Sequence, residues 1–203
     1  MDTADRLTRA AEEGDAAAVA RLLAAGVPAD SPDTDRRTAL DRAVREGHDA
    51  IVRLLLAAGA DPLRPTGEYE ELTPLLDAVT WGHTAVVRTL LDAGAPTGAQ
   101  GKMRWLPLVV VPEGDTGHEI ADLLLDHGAD VDGLMKGWTP LEWAAARAEL
   151  GMVRHLLARG ATATAQALDR ASARGVKSPQ DARRYAPVIH TLRAAHAQAP
   201  DRP

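Results

Sequence analysis

The chain repeats itself. The phrase TALDRAVREGHDAIVRLLLAAGADP, Thr38 to Pro62, returns as TPLLDAVTWGHTAVVRTLLDAGAP from Thr73 to Pro96. Leu40, Leu75, Leu108 and Leu141 follow one another at intervals of 35, 33 and 33 residues, so the period is about 33. Backward, Leu7, Ala10, Gly14, Val19, Leu22, Leu23 and Gly26 each lie 33 residues before a counterpart between Leu40 and Gly59. Forward, ALDRASARG from Ala167 matches ALDRAVREG from Ala39, and Ile189 and Leu192 fit second-helix positions after a nine-residue insertion. A period of this size marks a stack of supersecondary units, none of which buries its apolar face alone.

Inside a unit the pattern is helical. From Asp49 to Ala58, the residues Ile51, Val52, Leu55 and Leu56 share one helix face, and Gly59 supplies a left-handed stop. Pro74, Pro107 and Pro140 sit in the first turn of a helix, where a missing N–H costs nothing. Thr139-Pro140-Leu141 with Ala144-Ala145, Gly82-His83, Val86-Val87 with Leu90-Leu91, and Gly128-Ala129-Asp130 together resemble the ankyrin repeat, a unit of a hairpin finger and two antiparallel helices. The resemblance covers about residues 3 to 196 and implies an all-α solenoid of about six helix-turn-helix units with β-hairpin fingers. Its repeats would span 3–36, 37–71, 72–104, 105–137 and 138–165, with an irregular cap at 166–197, all in one domain over 1–197, and a flexible tail at 198–203. Arg6, Arg9, Glu12 and Glu13 suit the polar outer face of an N-terminal cap; Arg183, Arg184 and Arg193 suit a C-terminal one.

Composition narrows the chemistry. There are four Trp, two Tyr and no Phe, although 45% of residues are hydrophobic, so the repeats pack on Leu, Val and Ala. With no Cys there are no disulfides, thiolate nucleophiles, zinc ribbons or iron–sulfur clusters. The longest apolar stretches, Leu54 to Ala58 and Leu106 to Val111, are far short of the roughly 20 residues that cross a bilayer. The first seven residues contain no apolar signal-peptide segment, and a cytoplasmic protein is expected. The net charge of -6 argues against nucleic acid as a general partner. Seven basic residues against three acids from Gln166 onward make that end +4, which reads as a solvated capping face. Abundant Ala, and Arg in large excess over Lys, point to a GC-rich, bacterial genome.

The resemblance also implies a binding surface on the concave side, formed by fingers and first helices. Arg37, Leu72, Trp105 and Trp138 occupy the position just before the TPL motif, which in this family commonly touches the partner. Trp81, before Gly82, falls in a second such position, and Tyr69, Met103 and Met135 fall at finger tips. Glu68, Glu70, Glu71, Asp33 and Asp35 form an expected acidic rim. Tyr69, Leu72, Trp81, Met103, Trp105, Met135 and Trp138 are therefore the expected protein-binding residues, in the composition of an interface hot spot. Trp143, two residues after Leu141, takes the place of a core leucine and is expected to pack.

The fourth repeat departs from the pattern. Leu106 replaces Thr, and Pro112 stands where the first helix should still run, so that helix is expected to end near Val111. The shortened helix would leave a notch lined by Trp81, Trp105 and Trp138, an alternative site for a small ligand or for acid–base chemistry by Glu113, Asp115 or His118. His48, His83 and His118 each follow a Gly at the turn between helices, a structural position in the family. No histidine pair has metal-motif spacing, and Asp130 and Asp132 lack the further oxygen ligands of a calcium loop. The reading is a monomeric, non-catalytic interaction module for a protein partner, without metal or cofactor. A further alternative is an acidic inhibitor or immunity-type protein drawn to a basic target by the -10 charge of the first 165 residues.

Overall fold

The computed structural model describes residues 2–65, 72–101 and 103–198. It forms two compact units, residues 1–112 and 113–203. Among the described residues there are helices and isolated bridges, with no sheet, as the all-α reading expects.

The first unit holds three helix pairs: α1 (Thr3–Glu12) and α2 (Ala16–Ala24), α3 (Ala39–Glu46) and α4 (Asp49–Ala57), α5 (Pro74–Trp81) and α6 (Thr84–Asp92). Successive first helices pack on one another, and so do successive second helices. Leu7, Leu40 and Leu75 fill the first layer and Val52, Leu55, Val87 and Leu90 the second, all essentially inaccessible to water. The caps explain where the helices begin. Thr38 accepts from the Asp41 N–H at 3.2 Å while Asp41 accepts from the Thr38 N–H at 2.8 Å, a reciprocal cap that satisfies two otherwise orphaned donors. Thr73 caps α5 from one side only, its hydroxyl accepting from the Leu76 N–H at 3.3 Å, ahead of Pro74.

Gly47 ends α3 in the left-handed region at φ 75°. It must also lack a Cβ, because one there would approach Nδ1 of His83 to 2.6 Å. That histidine, from the next repeat, reaches the Arg45 carbonyl through Nε2 at 2.9 Å, and His48 reaches the Glu12 carbonyl at 3.2 Å. Each ring thus ties its own repeat to the last turn of the preceding first helix.

The second unit contains α7 (Asp115–Asp126), the pair α8 (Pro140–Arg147) and α9 (Leu150–Ala158), and the pair α10 (Ala165–Gly175) and α11 (Pro179–Gln198). Its core includes Ile120, Leu124, Leu141, Val153, Leu156, Val188 and Leu192. Ala148 stands in the left-handed position that glycine takes elsewhere, at φ 60°, and Glu149 takes the histidine position after it. In the last pair the Tyr185 hydroxyl donates to the Ala146 carbonyl at 2.7 Å, doing the histidine's work with a different side chain.

The fingers are held by few bonds. The Asp33 N–H donates to the Arg37 carbonyl at 2.8 Å, Gln100 and Trp105 exchange both backbone bonds, and so do Met135 and Trp138. At two of the finger starts a carboxylate reaches into the next repeat: Asp30 accepts the Asp61 N–H at 3.1 Å, and Asp132 accepts the Thr162 N–H at 3.0 Å.

The fourth repeat is shorter than the sequence predicts. Only a single 3-10 turn, Pro107–Val109, stands for the first helix that was expected to run to Val111. Leu106 offers no side-chain cap. Three successive valines disfavour helix, and Pro112 biases Val111 towards extended backbone. The run still buries Leu108, Val109 and Val111, so the repeat keeps its apolar layer while losing its helix.

Candidate functional site

In the first unit, Trp81 ends α5 with 55% of its surface exposed, and the Arg45 guanidinium lies 5.6 Å from its ring centre. Met103 is exposed at the next finger tip. Trp105 is half-buried, its backbone locked to Gln100, whose buried side chain in turn joins the Thr73 hydroxyl and the Pro96 carbonyl. Leu72 is half-buried just ahead of Thr73. Tyr69 lies outside the described residues, as do Glu68, Glu70 and Glu71.

The expected acidic rim is not what the remaining residues form. A crevice of about 1040 Å³ on the finger and α3 side is lined by Arg36, Arg37, Arg42, Arg45 and Arg64, with Glu12, Asp35 and Glu46 among them. Arg42 takes the acids: its guanidinium meets Glu12 at 3.1 Å, Asp33 at 3.2 Å and Asp35 at 3.4 Å. Asp33 and Asp35 are therefore spoken for within the fold. Behind this network burial pushes the Asp41 carboxyl above the usual carboxylate range, against the opposing hydrogen bonds from Thr38.

Two fingertip arginines sit in strained backbone. Arg36 has φ 63° and Arg104 φ 50°, while Gly137, which like them stands two residues before the start of the next repeat's cap motif, has φ 77°. A non-glycine residue in this region costs about 1 to 2 kcal/mol.

In the second unit the sequence assignments change places. Met135, expected at the surface, is only 1% exposed: the finger folds it inward, so it cannot be a partner contact. Trp143, expected to be core, is half-buried and belongs to a surface stack. Its indole N–H donates to the Met135 carbonyl at 3.2 Å, and its ring lies 4.8 Å from that of Trp138. The Arg170 guanidinium lies over the Trp138 ring at 3.6 Å from its centre, and Arg147 stands 5.7 Å from that of Trp143. Both distances are within reach of cation–π attraction. Glu142, almost fully buried, accepts from the Thr139 N–H at 3.2 Å and the Thr164 hydroxyl at 3.1 Å and pairs with Arg170 at 3.4 Å. The signal for this arginine was in the sequence: Arg42 and Arg170 both close the phrase ALDR.

Trp81 and Trp105 belong to the first unit and Trp138 to the second. The acid–base candidates do not converge. His118 is not at a turn but inside α7, its ring stacked on that of His155 at 4.8 Å. His155 in turn meets Asp122 at 2.9 Å. Glu113 lies near Glu149, whose carboxyl is pushed up by burial, with Arg147 opposing and Glu113 adding to the shift. Among the described residues no group of three or more His, Asp or Glu is arranged to hold a metal ion, and no helix is long and apolar enough to cross a membrane.

No curated protein matches the chain in sequence. Among solved structures it is similar to the human ASB11 ankyrin repeat domain, with 26% identity and a TM-score of 0.73, covering 97% of this chain and 85% of that one. Family models match twice: ankyrin repeats in three copies over residues 7–101 and a single ankyrin repeat over 136–168. The stretch between these matches is the repeat that has lost its first helix. Ankyrin repeats are generally protein–protein interaction scaffolds rather than enzymes. From its period, its paired helices with their inter-repeat histidines and these matches, the chain belongs to the ankyrin repeat family.

Proposed function

We propose that this protein is a non-catalytic interaction module that grips a protein partner through aromatic side chains on its finger and first-helix sides. In the first unit the contact residues are Leu72, Trp81, Met103 and Trp105; in the second they are Trp138 and Trp143, on their arginine-flanked stack. Tyr69 completes the proposed set from outside the described residues. The observation that supports this most is the 55% exposure of Trp81. In a chain with only six aromatic residues, a tryptophan left mostly in water at a family contact position is a poor packing element and a good anchor.

The test compares Trp81→Ala/Met103→Ala with the intact protein in affinity capture from the native lysate, scored by mass spectrometry. Both replaced side chains are exposed, so the variant should fold with an unchanged circular dichroism spectrum. A specific partner should fall at least tenfold in yield, as loss of one hot-spot tryptophan worth about 2 kcal/mol requires. A folded variant that keeps every partner at full yield rules the aromatic surface out.

A further inference from the structure

We propose that the arginine-lined crevice of the first unit holds an acidic, extended segment of the protein partner, bound through its carboxylates. This rests on the interaction-module reading and adds the chemistry of the bound segment.

Charge comes first. Arg42 already draws in Glu12, Asp33 and Asp35, which shows what this crevice recognises, and it uses up most of the acids available there. Arg36, Arg37 and Arg45 also line the space, and among the described residues none of them has an ion pair. Arg64 is steadied at the edge by its bond to the Asp30 carbonyl at 2.9 Å. Guanidinium groups fixed beside one another match carboxylates two N–H bonds at a time. The chain as a whole is acidic, so a positive crevice within it favours an acidic segment over its acidic surroundings.

The backbone supplies a second, independent observation. Arg36 holds φ 63° at the finger tip, a conformation that Gly137 adopts without strain in the finger of the second unit. Fold stability alone favours glycine at this position. A long cationic side chain kept there against that preference is what a binding role would require.

The experiment titrates a fluorescein-labelled hexaglutamate peptide with the full chain and reads fluorescence anisotropy, alongside hexalysine and a six-nucleotide single-stranded DNA. Hexaglutamate should bind, hexalysine should not, and affinity should fall severalfold between low and physiological salt. Arg36→Gly/Arg37→Gln should weaken hexaglutamate at least fivefold while its melting temperature stays the same or rises. That opposition is the signature, since residues with a purely structural role lose stability when replaced. Absence of hexaglutamate binding, equal affinity in the variant, or tighter binding of the oligonucleotide would each overturn the inference. So would a dimer in light scattering that the variant converts to monomer, because a second copy would then be the occupant.

Partner capture keeps the two readings apart. Both variants, Trp81→Ala/Met103→Ala and Arg36→Gly/Arg37→Gln, should lose the partner. Loss in the first alone leaves the module standing and removes the acidic segment; retention in both removes the module, while the peptide titration still decides the crevice.

Discussion

Arg42 and Arg170 close the same four-residue phrase, one in each unit, and each buries a guanidinium Nε that has no hydrogen-bond partner. Their surroundings differ. Arg42 gathers three carboxylates from the first repeat and its own finger, whereas Arg170 lies flat on Trp138 and meets one buried glutamate. The repeat fixes where a guanidinium is delivered, and the neighbouring finger decides whether it meets charge or an aromatic face. One unit thus has an ionic side and the other a stacked aromatic one.

Four measurements bear on that contrast. The largest effect is expected for Glu142→Ala, which leaves the Thr139 N–H, the Thr164 hydroxyl and Arg170 without their common acceptor. A loss of about 3 kcal/mol in urea unfolding is expected, the size seen when a buried pair is broken from one side. Arg42→Met should cost about 2 kcal/mol, since Asp33 is nearly buried, and added salt should narrow the gap because Glu12 and Asp35 are more exposed. If the two variants prove equal in both size and salt response, the ionic and aromatic sites are not different in kind.

Arg170→Lys keeps the charge but not the flat face, so it should cost about 1 kcal/mol and alter tryptophan emission through Trp138. The smallest effect concerns pH. Burial raises the carboxyl of Asp41, which faces Thr38, Asp77 and Arg64, and that of Glu149, which faces Arg147, Glu113 and Arg184. A carboxylate raised in the folded state holds its proton longer there than in the unfolded chain. Its contribution is therefore complete below the ordinary carboxylate range and is lost as pH rises through the folded value. Urea midpoints should decline over that interval, and less steeply in Glu149→Gln. A decline of the same slope in the variant would exclude Glu149 as a contributor.

Much of the architecture was readable because repetition averages over local accidents. Leu40, Leu75, Leu108 and Leu141 set the period and all are buried; Thr38, Thr73 and Thr139 all cap helices as their positions imply. Pro112 correctly signalled a short helix but not one reduced to a single turn, because the capping failure at Leu106 and the valine run act together. Surface roles were less legible. Whether Met135 points out or in depends on how its finger closes on Trp138, and Trp143 is drawn to the surface stack by Trp138 and the Met135 carbonyl. Neither spacing nor residue type encodes those choices. Asp33 and Asp35 looked like a rim because the sequence does not display Arg42, seven to nine positions on, folding back over them.

The carboxylates of Asp30 and Asp132 bear on how such a chain can change its length. Each serves an amide that lies 30 or 31 residues further along, so neither finger start is complete without the repeat before it. The second and third repeats offer no such carboxylate, since Leu63 and Gly98 stand at the equivalent position. A deletion or insertion that parts the first repeat from the second, or the fourth from the fifth, therefore orphans an amide and a carboxylate together. Changes of length are best tolerated where no aspartate spans the joint, between the second and third repeats and between the third and fourth.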